Sequence, residues 1–515
     1  MKSRLATIGN WLGDSLVVLS GLWIVSVLIL RVSQGPTGFV FGIKFSLMDI
    51  PGTVLLATGM GLLGLSISRW RKHMGRLAAA IGRTWWFPVG FWIALSLSWW
   101  LVTMNNIRTM AIWGLDTAIF ENIFYRISRG DPYLEFMGIH HPYFIFYPMG
   151  LLYRFTGLAG PILLHKVLMF SSVPCAWLLA RELGHDEEGT GLVTLLIALM
   201  PTLWWMGGDA PYPDVCFLSL GILMAWAGLR ENYALAAALG LGMLLNSESG
   251  GLVLACTGAA LAIMTKRWAW LWLVPVGLAS VPIALWFQDK VAPERAENRL
   301  LYRYGIDSIT PASLLGVGLR VFWPSRLYAL IRLFLQAGHL PFLGLPISAL
   351  AIIPAAPQLA VIAPGTNQAK LGLYHGFYSL PLIAIGAIWA LRWFRNPVIH
   401  GLIAISVSLL SGMRLYRFSP PEGFVKRCEE VASLVPKGDS VAASPYISLK
   451  LSRRPYLRIV NNSDELMEEL GRTRPWVALE ARGFRDMNEA DSLLLPRGYE
   501  RVFADTSFVV WKPPK

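Results

Sequence analysis

Charge is what this sequence has least of. Of its 515 residues only 15% are Asp, Glu, Lys or Arg, while 55% are hydrophobic. Soluble domains carry about 25% charged residues, so the shortfall excludes a water-soluble globular chain. Cysteine is scarce as well. Cys175, Cys216 and Cys256 lie in apolar segments and Cys428 near the C-terminal end, with no CxxC pair and no Cys/His cluster. That pattern excludes a zinc module and a disulfide framework. Alternating strands of about ten residues do not recur, which excludes a transmembrane β-barrel. Acidic residues are outnumbered, and the formal net charge is +13. In so apolar a chain the excess reads as basic loops facing the cytoplasm, not as a nucleic-acid surface.

What is present instead is long apolar runs. A helix needs about 20 apolar residues to cross roughly 30 Å of hydrocarbon. In lipid its backbone must satisfy its own hydrogen bonds. The expected fold is an all-α polytopic membrane protein of about 13 transmembrane helices, followed by a small C-terminal α/β domain. Three N-terminal spans fill residues 1–104, beginning near Trp11–Leu30, Pro51–Ser68 and Trp85–Met104. The first run follows Lys2 and Arg4 as a signal peptide would. It is too long and lacks a small-residue cleavage site, so an uncleaved anchor is expected. Residues 105–159 form a first external loop with juxtamembrane helices, 160–413 the transmembrane core, and 414–515 a soluble extracytoplasmic domain.

Orientation follows from the basic residues. Arg69, Arg71, Lys72, Arg76 and Arg83 mark the cytoplasmic side, as do Lys266, Arg267, Arg392 and Arg395. Parity then puts the loops 207–213, 288–324 and 363–375 and the C-terminus outside a bacterial inner membrane. The loop 288–324 breaks the charge rule, since it carries Lys290, Arg295, Arg299, Arg303 and Arg320. An anionic substrate would give such an external basic loop its reason.

Four polar patches share that outer side. In the first, Asp116 and Glu121 stand five residues apart, Ile119, Phe120, Ile123, Phe124 and Ile127 recur at spacings of three and four, and His140-His141-Pro142 follows. The apolar spacing predicts an amphipathic helix at the membrane interface. Asp116 caps that helix or serves a catalytic or ligand role. Asp131-Pro132 reads as a turn. The second patch is Gly207–Asp214, with Asp209 and Asp214. The third is Asn246–Gly251, with Glu248. The fourth is Tyr374-His375-Gly376. Each has a bland reading as turn or structural histidine. Their convergence on one side is what points to function, and it makes Asp116 and Glu121 the catalytic candidates.

These residues also resemble a known family. Leu115-Asp116-Thr117-Ala118-Ile119-Phe120-Glu121-Asn122, Gly130-Asp131-Pro132-Tyr133, His141-Pro142-Tyr143 and Tyr147-Pro148 are similar to the D-L-G-I-F-x-Q … G … H-F-x-P signature of a bacterial family of predicted polytopic membrane proteins. It is domain-of-unknown-function family 2079, grouped with the GT-C glycosyltransferases. Asp209–Asp214 stands where the family has D-F-H-P-E, and Asn246-Ser247-Glu248 where it has K-E-D. Pro346–Gly365 followed by Tyr374-His375 stands where it has a Pro-rich span and a loop ending in H-Y. Val435–Ala443 resembles its I-P-P-G-A-S-V-A-A run, and Gly498–Val502 its closing motif. The likeness covers roughly residues 100 to 512. It departs where Glu121 replaces Gln, where Tyr212 stands near the family's His, and in the extra spans before the first loop.

The resemblance implies a GT-C arrangement. Such an enzyme takes a sugar from a polyprenyl-phosphate carrier and passes it, with inversion, to an envelope glycan, lipid or protein. Asp116 would take the proton from the acceptor hydroxyl. Arg299 and Arg303 would meet the lipid phosphate. His140, His141, Asp209, Asp214, Glu248, Tyr374 and His375 would bind substrate. No cofactor is specified, and Mg²⁺ or Mn²⁺ on Asp116, Glu121 and Asp209 stays open as an oxygen-ligand alternative. A lipid-linked glycan translocator and a non-catalytic scaffold subunit are the other classes. Transporters often show internal repeats and paired broken helices, and no repeat is visible in this sequence.

Overall fold

The structure is a computed structural model that describes residues 2–33, 37–40, 43–46, 50–112, 114–131, 143–291, 304, 310–361, 370–371, 373–411, 423–481, 484 and 487–514. Helices dominate it, and a small sheet forms near the C-terminal end. Among the described residues four helices are long and apolar enough to cross a membrane: Thr7–Val25, Trp86–Arg108, Ala159–Glu182 and Trp268–Val291. Two bent pairs, Glu187–Ala198 with Pro201–Gly207 and Pro311–Phe322 with Pro324–Ala337, would each make a further span. Shorter apolar helices of 10–17 residues include Pro213–Leu229, Gly250–Thr265, Leu380–Leu391 and Pro397–Leu410. The sequence expects several of these as full spans. Proline and glycine at their ends cut them short, because proline cannot continue a helical hydrogen-bond ladder.

The first two helices, α1 (Lys2–Ser33) and α2 (Ile50–Ile67), pack together and are joined through an antiparallel hairpin. Its strands β1 (Thr37–Val40) and β2 (Ile43–Ser46) pair Thr37 with Ser46, and no reading of the sequence anticipates them. Small residues let the two helices close up. A Cβ on Gly13 would stand 2.6 Å from the Gly64 carbonyl, and one on Gly64 would stand 2.7 Å from the Gly13 carbonyl. This small-residue contact is the usual device for helix pairs in lipid. Helix α2 then rests on Pro397–Leu410, which fastens the N-terminal pair to the core.

Helix α3 (Arg71–Arg83) carries the basic run. Gly75, Ala78, Ile81 and Gly82 form its buried stripe, while Lys72, Arg76 and Arg83 stay exposed. The stripe packs on Glu187–Ala198 so closely that a Cβ on Gly191 would lie 1.8 Å from the Ala78 carbonyl. Arg83 grips Glu187 with Nε and Nη2 at 3.0–3.1 Å on the exposed side of this contact.

The core lies among α4 (Trp86–Arg108), the Ala159–Glu182 helices and the helices from Glu187 to Pro397–Leu410. The chain leaves α4 through a tight turn in which Met110 has φ 53°, a left-handed conformation that non-glycine residues seldom adopt. That turn sends Met110 and Ile112 into the core of the C-terminal domain. The following helix α5 (Gly114–Ser128) is the amphipathic helix the spacing predicts. It does not lie free on the interface. Phe120, Ile123, Phe124 and Ile127 pack toward the Phe146–Thr156 helix, and Gly150 makes room for Ile127 there. Its opposite side meets the C-terminal domain.

That domain is a five-stranded mixed sheet in the order β4-β3-β5-β7-β6. Strands β3 (Val441–Ala443), β4 (Leu457–Ile459) and β5 (Trp476–Glu480) run parallel, and β6 (Glu500–Ala504) and β7 (Phe508–Lys512) close it antiparallel. Four of the five strands coincide with short apolar runs in the sequence. The fifth, β6, is exposed along most of its length and shows no such run. Asn462 caps the Ser463–Arg472 helix through the amide of Glu465 at 2.9 Å, which sets where that crossover begins.

Candidate functional site

Asp116 lies in the first turn of α5, past the position a capping residue would occupy. The hydroxyl of Tyr212 donates to its Oδ2 in a short hydrogen bond. Tyr212 is buried, and its ring meets Phe120 edge-on with centroids 5.3 Å apart, one turn along α5. The loop that carries Tyr212 is held from several sides. Thr103 Oγ1 donates to the Gly207 carbonyl at 2.8 Å and Asn106 Nδ2 to the Gly208 carbonyl at 3.1 Å, both from α4. Nε2 of His165 donates to the Tyr212 carbonyl at 3.0 Å. Asn246 Nδ2 donates to the Pro213 carbonyl at 3.0 Å, and the Tyr143 hydroxyl to Asp214 Oδ2 at 2.8 Å.

Asp209 stands near enough for its charge to act on Asp116. Burial pushes the Asp116 carboxyl up to about 6; the Tyr212 hydrogen bond pulls it back, and Asp209 raises it further. Burial raises Asp209 too, against the Ala210 amide at 2.8 Å and the charge of Lys166. Lys166 is fully buried beneath the loop and donates to the carbonyls of Asp209 at 3.1 Å and Met206 at 3.4 Å. Two carboxylates, a buried lysine and a phenol thus come together beside the first turn of α5. A carboxylate held near 6 is ionised at neutral pH yet basic enough to take a proton, which is what a general base requires.

The structure joins the second and third patches through Asn246, and brings the fourth to them. The Leu373–Gly376 turn contacts Pro201–Gly207 and Pro213–Val215, with His375 buried. Glu248 is half-buried in the turn before Gly250–Thr265. Asp131 is bound to Arg126, 2.6 Å from its Nε, in the turn that closes α5. His140, His141, Arg299 and Arg303 lie outside the described residues, as does the side chain of Tyr374.

Glu121 is the main departure. It does not share a site with Asp116. Its carboxylate accepts from Ser452 Oγ at 2.7 Å, Arg453 Nε at 3.0 Å and the Tyr153 hydroxyl at 3.1 Å. Five residues of regular helix turn the two acids to different neighbours, and the loop following β3 claims Glu121. Beside it, Asn122 Nδ2 donates to the carbonyls of Ser452 at 2.8 Å and Arg454 at 2.9 Å.

Two contributors escape the sequence reading, His165 and Lys166, while Tyr143 and Tyr212 enter it only as motif residues without a role of their own. A His-Lys pair inside an apolar helix is itself a signal, since ionisable residues at membrane depth are costly and usually functional. Among the described residues no three His, Cys, Asp or Glu side chains come together as a metal site.

A family profile described as "Predicted membrane protein" matches residues 106–497, from the last turn of α4 to just before β6. The chain belongs to the DUF2079 family. Helices α1, α2 and α3 and most of α4 precede the DUF2079 match. No curated protein matches. Among solved structures this DUF2079 chain is similar to ArnT from Cupriavidus metallidurans bound to undecaprenyl phosphate. The identity is 14%, with 82% of this chain and 97% of that chain covered and a TM-score of 0.49. The apo form of ArnT gives 12% identity over the same shares, at 0.46. An Archaeoglobus fulgidus oligosaccharyltransferase in complex with zinc and sulfate gives 14% identity, 81% and 73% coverage, and a TM-score of 0.39.

Proposed function

We propose that the protein is a GT-C-type membrane glycosyltransferase that moves a sugar from a polyprenyl-phosphate donor to an envelope acceptor at the outer face of a bacterial inner membrane. The observation that carries this reading is the Asp116–Tyr212–Asp209 cluster over the buried Lys166, whose carboxylates stand on residues that resemble the family signature. Asp116 takes the acceptor hydroxyl's proton as the oxygen attacks the anomeric carbon. Attack from the face opposite the leaving phosphate inverts that carbon, and no covalent enzyme intermediate is formed. Tyr212 holds Asp116 in place through its hydroxyl. Asp209, Asp214, Glu248, Tyr374 and His375 line the surrounding polar segments as sugar and phosphate contacts.

The direct test is transfer itself. Purified protein supplied with a radiolabelled polyprenyl-phosphate sugar and an envelope extract is expected to move label to an acceptor. Label that crosses a vesicle bilayer on its carrier without being transferred would identify a translocator instead. A reporter fused behind Lys515 is expected to read non-cytoplasmic. A cytoplasmic signal would turn the site away from an external donor and overturn the orientation.

A further inference from the structure

The second bent helix pair breaks at Trp323, between Pro311–Phe322 and Pro324–Ala337, with a 56° bend. An arginine stands three residues to either side of that break. Arg326 is fully buried, one of the largest fully buried side chains among the described residues. Its Nη2 donates to the Val361 carbonyl at 2.9 Å. Its Nε and Nη1, which carry most of a guanidinium's donors, are buried and have no hydrogen-bond partner among the described residues. Arg320 lies close enough for its charge to act on Arg326. Its Nη1 donates to the carbonyls of Tyr304 and Ala360, the latter at 3.5 Å. Among the described residues neither guanidinium meets a carboxylate.

Two like charges at a helix break, one of them buried with empty donors, are costly as they stand. A buried charge without a counter-ion costs several kcal/mol even after relaxation. Neutral carbonyls supply acceptors for part of the donors and no negative charge. Non-helical backbone at membrane depth is tolerated where it lines a site rather than facing lipid. The wall also leads to the carboxylate cluster. The Ile352–Leu359 helix, whose C-terminal extension supplies Ala360 and Val361, touches the Leu373–Gly376 turn, and that turn touches the Asp209–Asp214 loop segment at Pro213–Val215.

We propose that Arg320 and Arg326 form an anion site for a phosphate group, carried by a lipid or free in solution. The guanidinium plane matches two phosphate oxygens at once. The proposal deepens the transferase reading, whose leaving group is a lipid phosphate, but it stands on the arginines' own geometry. It also supplies phosphate-binding arginines within the described residues, where Arg299 and Arg303 are not.

The test uses the full chain in detergent and three probes: a polyprenyl monophosphate, the matching polyprenol, and inorganic phosphate. The polyprenyl monophosphate is expected to bind and the polyprenol to bind at least tenfold more weakly. Arg326→Leu is expected to lower affinity for the phosphorylated probe by about 10- to 100-fold, the worth of hydrogen bonds to a charged group. Inorganic phosphate that competes, with the same loss in R326L, would support the site and assign it to free phosphate. Should R326L not fold, Arg326→Lys, which keeps the charge and loses the fork, and Arg320→Gln carry the same readout. Unchanged affinity for both phosphate probes in the folded variants, or equal binding of polyprenol and polyprenyl monophosphate, would overturn it. Binding that depends on Arg326 in a protein that transfers no sugar would sink the transferase reading and leave the anion site standing.

Discussion

Replacing Asp116 by Asn is expected to lower sugar transfer by about 10²- to 10⁴-fold, the usual worth of a general base, while making the protein more stable. The two effects share one cause. Desolvation holds the Asp116 carboxyl at about 6, above its ordinary 3.8. At neutral pH the folded protein keeps a buried charge that the unfolded chain would hold in water. A shift of one unit corresponds to about 1.4 kcal/mol, so Asn, which keeps the shape without the charge, should gain about 1–3 kcal/mol. The pH dependence has a definite sign. The folded state binds the Asp116 proton more tightly than the unfolded state, so stability falls as pH rises from about 4 to about 6 and is level beyond. Transfer should run the other way, rising as pH passes about 6 and the base ionises. Thermal unfolding and a pH–rate profile of wild type and D116N measure both. A D116N protein that transfers at the wild-type rate would remove Asp116 from the chemistry. Tyr212→Phe provides an internal check, because its hydroxyl pulls the carboxyl down. Its loss should move the acid limb of the profile to higher pH.

Glu121→Ala is expected to cost stability, by about 2–4 kcal/mol, because it strands three donors that converge on one nearly buried carboxylate. Arg453 is itself largely exposed and can turn to water, which holds the figure below that for a fully buried ion pair. Glu121→Gln keeps an acceptor oxygen for Ser452 and should cost less than half as much. That ordering bears on the site, since α5 carries Asp116 as well. A loosened C-terminal domain should therefore raise hydrogen exchange along α5 in E121A and leave it near wild type in E121Q. Equal stability of E121A and wild type would show that the domain is held by the Asn122 hydrogen bonds and the apolar contacts of Met110, Ile112 and Ala118, without Glu121.

The reach of the sequence can be traced residue by residue. Apolar runs show a helical membrane protein because the bilayer demands them, and the short strands β3, β4, β5 and β7 show because a buried strand must be apolar. Strand β6 is hidden because most of it faces water. Hairpin β1–β2 is hidden because its strands are four residues long and no Asn-Gly or Asp-Gly turn signal stands between them. Asp116 is legible, since a carboxylate beside apolar helical spacing needs an explanation. Glu121 carries the same signal and belongs to another contact, because spacing along a helix places a side chain on a face without saying what stands opposite.

Composition and periodicity by themselves determined that this is a largely helical membrane protein with a small sheet near its C-terminal end, and they marked the segments where polar groups collect. Those properties depend on local hydrophobicity and charge, which the chain carries residue by residue. Only the tertiary structure decided that Lys166 and Tyr212 complete the Asp116 site, that Glu121 fastens the C-terminal domain, and that Arg326 is buried with donors to spare. Each of those facts depends on groups separated by tens to hundreds of residues, such as Glu121 and Arg453. Burial sets both the charge state of an acid and the cost of an unpaired cation, and burial belongs to the packed molecule.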